Sequence, residues 1–225
     1  MAEKMKHRTG LDLFLRFAEG CRKYLEDNNR ISKKDNKEIK EYLYGNGDPP
    51  SKKTLKRVFY AAYPGIEKVC RETGKSSIFD PSVVRTYYAF AHNRKKHAEG
   101  NLICIAYPAK VIEKRPLWTR KKTIMDFKYE IELEPVLGRV WIESDIPLKK
   151  NDWIVFHRAF VVEKISKQFA DRMIQFLSQE LGLDKSYRFP KKAIKYLNQL
   201  AGFSKKKITK DPEYSRFACR LPPKP

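Results

Sequence analysis

The chain of 225 residues is 41% hydrophobic and carries a formal net charge of +21 at pH 7, which allows one large or two small buried cores, excludes disorder as its general state and attracts polyanions. Its four cysteines lie scattered with no Cys-x-x-Cys pair, which excludes a zinc ribbon and a disulfide scaffold and suits a reducing cytosol. No apolar run approaches the roughly 18 residues of a membrane span, and the start, MAEKMKHRTG, has no apolar signal core, so a cytoplasmic protein without a membrane partner is expected.

The first predicted helix runs from Leu11 to Leu25, where Leu11, Phe14, Leu15, Ala18, Cys21 and Leu25 recur at three and four. Ser32 caps a short second helix carrying Ile39, Tyr42 and Leu43, which the cluster Gly45-Asn46-Gly47-Asp48-Pro49-Pro50 ends. A third helix starts near Ser51, buries Leu55, Val58, Phe59 and Ala62, breaks at Pro64-Gly65 and continues through Ile66, Val69 and Cys70 to Gly74. Asp80-Pro81 opens a fourth whose apolar face is Val84, Tyr87, Tyr88 and Ala91, with Gly100 as its stop. His92 and His97 stand five apart, off a shared face, which reads as the solvated basic end of that helix rather than a chelating pair.

At Gly100 the hydrophobic period changes from 3.6 to two. Leu102 to Ile112 is the first strand, and Phe127, Tyr129, Ile131 and Leu133 alternate with charged residues as in a strand with one wet face. Val140–Ile142, Trp153–Phe156 and Phe160–Ile165 supply three more, with turns at Gly138, at Pro147 to Asp152 and at His157-Arg158. Ser166 caps a helix with Phe169, Met173, Phe176, Leu177 and Leu181 inward and Gly182 at its end. Pro190 opens another, with Ile194, Leu197 and Leu200 inward, followed after Gly202 by an extended basic tail.

The fold class expected is α+β: a helical domain over residues 1–100, a small OB-like β-barrel plus helix over 101–183, and a helix with a basic tail over 184–225. Positive charge is spread widely and is densest beyond the barrel, with about +9 on residues 166–225. Candidate nucleic-acid contacts are Lys52, Lys53, Lys56 and Arg57 at the third helix, Arg94, Lys95 and Lys96 in the fourth, and Arg120, Lys121 and Lys122 between strands. In the tail, Lys205, Lys206, Lys207 and Lys210 stand beside Phe203, Tyr214 and Phe217, cations with stacking platforms that suit RNA or single-stranded DNA. No P-loop, GxGxxG, nucleophile elbow or HExxH occurs, so nothing in the chain argues for catalysis.

Two stretches within the predicted barrel carry a resemblance. Cys104-Ile105-Ala106-Tyr107-Pro108-Ala109-Lys110-Val111 is similar to the opening of the HypC/HupF family of hydrogenase-maturation chaperones: Cys, an apolar residue, Ala, Ile, Pro, Gly, Lys, Val. Asn151-Asp152-Trp153-Ile154-Val155-Phe156-His157-Arg158-Ala159-Phe160-Val161 resembles that family's second motif, a Gly-Asp, alternating apolar residues, a His, then Gly-Phe-Ala. The resemblance covers about a third of the chain in the family's order. Ala109 and Asn151 stand where the motifs have Gly, and the family's cysteine follows its initiator Met whereas Cys104 lies far inside this chain.

What the resemblance implies is a small barrel and a non-catalytic accessory or carrier protein of nickel-iron hydrogenase assembly. Its metal-facing residues would be Cys104 and His157, its cargo transient iron with no permanently bound cofactor, and its partners HypD-like and hydrogenase large-subunit-like proteins. A thiolate is a soft, strong ligand for such iron and an imidazole supports it. The alternative function is a nucleic-acid-binding protein, for RNA or DNA, that reuses the barrel.

Overall fold

The computed structural model describes residues 9–45, 47–116 and 127–188, and its architecture is mixed α+β. Two compact units meet in sequence between His92 and Asn93, within the last of the amino-terminal helical segments.

The helical unit comprises α1 (Gly10–Asp27), α2 (Lys33–Tyr44), α3 (Lys52–Val58), α4 (Tyr63–Glu72) and α5 (Pro81–Thr86), which runs into a π-helical turn at Tyr87–His92. Side chains of Thr9, Ser32, Ser51 and Asp80 accept backbone N–H bonds at the starts of α1, α2, α3 and α5. At α1, Asp12 returns the bond to the Thr9 N–H, completing a capping box. The core is aromatic: Phe14 meets Phe59, Tyr63 and Phe79 edge-on, and Phe17 stacks on Tyr88 with centroids 4.3 Å apart. Gly10 is required because a Cβ there would lie 1.4 Å from the Phe79 carbonyl oxygen.

Three expectations need correction here. The buried face of α1 is broader than the predicted stripe, taking in Leu13 and Phe17 while Leu11 and Cys21 are half-buried. The third helix breaks at Phe59–Ala62, before Pro64; proline fits the first turn of α4, where its missing N–H has no partner to lose. His92 is not on a solvated helix end. The π turn inserts an extra residue per turn and shifts the buried face to Tyr87, Tyr88, Ala89 and His92, so His92 lies among Tyr87 and Tyr88.

Buried and half-buried ions join the helices. Glu26 of α1 accepts hydrogen bonds from Arg22 (2.9 Å), Asn36 (2.8 Å) and Lys40 (2.7 Å), the last two on α2. Glu38 of α2 accepts from the Ser51 N–H (2.7 Å) and the Thr54 hydroxyl (3.0 Å), and buried Asp35 takes a two-pronged bond from Arg57 of α3. Partial burial by itself raises the Glu26 carboxyl, but the bonds from Lys40, Asn36 and Arg22 outweigh it and hold the group down at about 2. Asp35 is lowered in the same way, burial being outweighed by bonds from Arg57 and Ser32.

The sheet unit opens with α6 (Asn93–Ala98) and a 3₁₀ turn at Leu102–Cys104. Five strands follow, β1 (Ala106–Pro116), β2 (Phe127–Leu133), β3 (Gly138–Glu143), β4 (Trp153–His157) and β5 (Phe160–Ile165), then α7 (Lys167–Leu181). All ladders are antiparallel, in the order β3-β2-β1-β4-β5. Where the sequence predicts a closed barrel the ladders describe an open sheet: β3 and β5 approach within 8 Å between Cα atoms but are not hydrogen-bonded. The first strand begins at Ala106, not Leu102, and His157 ends β4, with Arg158-Ala159 as the turn.

α7 packs on β1 and β4; the start of β1, Ala106–Ala109, and β4 from Ile154 to His157 are buried on both faces, whereas the rest of β1 is partly covered or exposed apart from Val111, and β2 and β3 alternate buried Tyr129, Ile131, Leu133, Val140 and Ile142 with more accessible residues. Gly182, at φ 65°, ends α7 as predicted. The returning chain accepts the Leu137 N–H at the Tyr187 carbonyl (2.9 Å). The helix predicted from Pro190 and the tail after Gly202 lie outside the described residues. Among the described residues no helix is long and apolar enough to cross a membrane.

Because the Glu26 carboxyl is depressed on folding, its stabilisation is complete above its unfolded value of about 4.5 and is lost as pH falls towards about 2. Thermal melts should show Tm dropping across that window. In Glu26→Gln the drop should be shallower, and stability at pH 7 lower by about 1–2 kcal/mol, the range for charged hydrogen bonds to a partly exposed group. Gly10→Ala should lower the urea midpoint at unchanged slope, by about 1–3 kcal/mol of strain.

Candidate functional site

Cys104 ends the 3₁₀ turn that leads into β1. Its N–H bonds to the Asn101 carbonyl (3.1 Å), and the Ile105 N–H bonds to the Leu102 carbonyl (3.3 Å). The Tyr107 hydroxyl donates to that same Leu102 carbonyl (3.1 Å), so the turn is held from β1 as well. Tyr107 is fully buried, and burial pushes its phenol well above the ordinary value, which keeps it a donor.

Asn93 sets the position of the strand start. Its side-chain amide accepts from the Ala106 N–H (2.8 Å) and donates to the Ala106 carbonyl (2.9 Å), and the residue has no exposed surface. On its other side Ala106 stands opposite His157 in the β1–β4 ladder. His157, likewise fully buried, reaches back from the end of β4 to the Cys104 carbonyl oxygen, with Nε2 at 2.9 Å. A carbonyl only accepts, so Nε2 carries the proton in this bond.

The fold therefore brings together the two residues that the sequence singled out, 53 positions apart, at one end of the β1–β4 pair. It joins them through a backbone carbonyl. A metal at this histidine would take Nδ1, or Nε2 after the bond to Cys104 had broken. Among the described residues no three His, Cys, Asp or Glu side chains are grouped to hold a metal ion, and Cys104 has no exposed surface.

The hairpin beside the pair is tightly wound. Arg158 and Ala159 both adopt left-handed backbone, at φ 48° and 77°, as a two-residue turn matched to strand twist demands. Among the described residues Arg158 is the largest fully buried side chain. Asn151, leading into β4, is left-handed too, at φ 71°.

The predicted nucleic-acid contacts divide by burial and pairing. Lys52, Lys53 and Lys95 are exposed without a carboxylate partner among the described residues. Lys56 pairs with Glu67 (3.2 Å), Arg57 with Asp35 and Arg94 with Glu180, and Lys96 is buried against Glu99 (2.7 Å). Arg120, Lys121, Lys122, Lys205, Lys206, Lys207, Lys210 and Tyr214 lie outside the described residues.

Asn93, Tyr107 and Arg158 were not read as site residues from sequence. Asn93 falls off the face predicted from a regular helix, and the π turn brings it inward; Tyr107 and Arg158 lie inside the two resembled stretches, at positions where the motifs name no tyrosine or arginine. No protein-family model, no curated protein and no solved structure matches this chain.

Thiol burial makes an order of reactivity testable. Timed alkylation of native protein, read by peptide mass mapping, should modify half-buried Cys21 before Cys104, which stays protected until denaturant is added.

Proposed function

We propose that the sheet unit is a HypC-like accessory module of metal-centre assembly that works in the cytoplasm without catalysing a reaction, taking an iron centre as transient cargo at Cys104 and His157. The observation that carries this reading is the convergence of those two side chains' residues at one strand end. Two further details support it. Asn151, at a glycine position of the resembled motif, and Ala159, which precedes Phe160 as the motif's glycine precedes its Phe, both have the left-handed backbone that glycine favours. The sheet is open, and the approach of its edge strands β3 and β5, without a ladder between them, is in keeping with a barrel-like module.

In the closed arrangement the thiol is covered, so loading requires the 3₁₀ turn to release His157 from the Cys104 carbonyl. That opening breaks the His157 bond to the Cys104 carbonyl and the Tyr107 bond to the Leu102 carbonyl, and uncovers a buried segment, so it needs the binding energy of a partner. A HypD-like partner would act there, followed by a hydrogenase large-subunit-like acceptor. Once uncovered, a thiolate gives iron its soft ligand and the imidazole, freed at Nε2, supports it.

A second reading, nucleic-acid binding, is favoured by the net charge of +21 and by Lys52, Lys53 and Lys95, exposed cations without a carboxylate partner among the described residues.

Protein purified anaerobically from its host should show infrared bands of iron-bound cyanide and carbon monoxide, lost in Cys104→Ala and retained in Cys21→Ala. Equal metal content and unchanged bands in Cys104→Ala would refute the carrier reading. Co-purifying nucleic acid that is removed by salt, with no diatomic bands, would move the assignment to the second reading.

A further inference from the structure

Thr9, Ser32, Ser51 and Ser166 cap their helices in one way. Each has extended backbone, with ψ between 148° and 154°, and its side-chain oxygen accepts the N–H of the residue three positions on. Asn101 holds the same place before the 3₁₀ turn of Leu102–Cys104, and three positions on from it is Cys104 itself. Its ψ is 69°, however, and its side chain makes no cap bond. The Cys104 N–H goes to the Asn101 backbone carbonyl instead, at 3.1 Å.

The amide oxygen of Asn101 is thereby stranded. The residue is 2% exposed, and Oδ1 has no hydrogen-bond partner among the described residues. A buried acceptor without a donor is uncommon in folded proteins and destabilises the arrangement that leaves it so. Asparagine is among the strongest capping residues, so a side chain suited to bond the Cys104 N–H sits covered and unused while the turn is closed.

We propose that Asn101 governs release of the Cys104 turn. As the turn opens, Asn101 takes the extended backbone of the other caps, and its Oδ1 receives the Cys104 N–H while the Asn101 carbonyl turns to water. One bond replaces another and a stranded acceptor is satisfied, which offsets part of the loss of the His157 and Tyr107 bonds. A partner then has less to supply. Asn101 touches no cargo in this scheme: it is a positioning residue that acts through the backbone of Cys104. The inference rests on the carrier reading, in which the turn opens for loading, and gives that step its control.

The test is iodoacetamide labelling of the full chain at urea concentrations below the unfolding midpoint, with Cys104 and Cys21 followed separately by peptide mass mapping. Asn101→Ser and Asn101→Ala differ by one oxygen, and serine caps about as well as asparagine. Cys104 should label in Asn101→Ser at close to the wild-type rate, and about fivefold more slowly in Asn101→Ala, the typical effect of a cap read as a rate ratio. Cys21 should label alike in all of them. Asn101→Leu, which refills the volume of the amide, should also label at Cys104 more slowly than wild type, and it carries the test if Asn101→Ala packs poorly. Equal or faster labelling in both apolar variants overturns the proposal, the outcome expected where a bound water pairs Oδ1 in the closed turn. Cys104 labelling with the full urea slope of global unfolding overturns it too, since the turn then has no opening of its own. Neither readout involves metal, so the cyanide and carbon monoxide bands of wild-type protein decide the carrier reading separately.

Discussion

The N–H and C=O of Ala106 point away from β4 at a level that β2 does not reach, since the β1–β2 ladder ends at the pairing of Ala109 with Leu133. Buried peptide groups left there without partners would each cost about 1–3 kcal/mol. The side-chain amide of Asn93 supplies both missing bonds and so acts as one residue of an absent strand. From that fixed point the chain enters β1, the central strand, and the rest of the sheet is ordered outward from it. The 3₁₀ turn bearing Cys104 is caught between Asn93 and Ala106, and His157 closes over it from β4. The geometry of the candidate site thus follows from satisfying two backbone groups.

The same sheet is two different surfaces along its width. At the start of β1, Ala106–Ala109, and along β4 from Ile154 both faces are buried, and α7 packs on these two strands. At β2 and β3 one face is wet, and charged residues alternate with the core set. The closed, apolar end holds the Cys104–His157 pair, whereas at the open end the half-buried ring of Trp141 lies 5.1 Å from the Arg115 guanidinium and 4.8 Å from the Lys128 ammonium.

In the helical unit, ions do work that apolar packing leaves undone. The short helices α2 and α3 bury few apolar side chains of their own, and are tied down by Glu26, Asp35 and Glu38 instead. Several of the cations that make the chain basic are engaged in this way, so the formal charge overstates what a partner meets. Arg57 and Lys96 have structural duties, while Lys52, Lys53 and Lys95 contribute to the field outside the protein.

Local signals in the chain determined the helix starts at Ser32, Ser51, Asp80 and Ser166, the stop at Gly182, the alternation of β2, and β5 residue for residue. Each depends on neighbours within a few positions: a cap, a proline, a glycine, an alternation. Tyr87 and Tyr88 were legible as core for the same reason. The pairing of Cys104 with His157 was legible as two motifs but not as a geometry, and nothing local reveals that a carbonyl rather than the sulfur meets the imidazole. Only tertiary structure decided the π turn that carries His92 and Asn93 inward, the burial of Arg158 and Lys96, and a sheet left open between β3 and β5. Those outcomes turn on contacts between residues far apart in sequence, where the free energy of packing overrides local preference and no short pattern records which partner will be found.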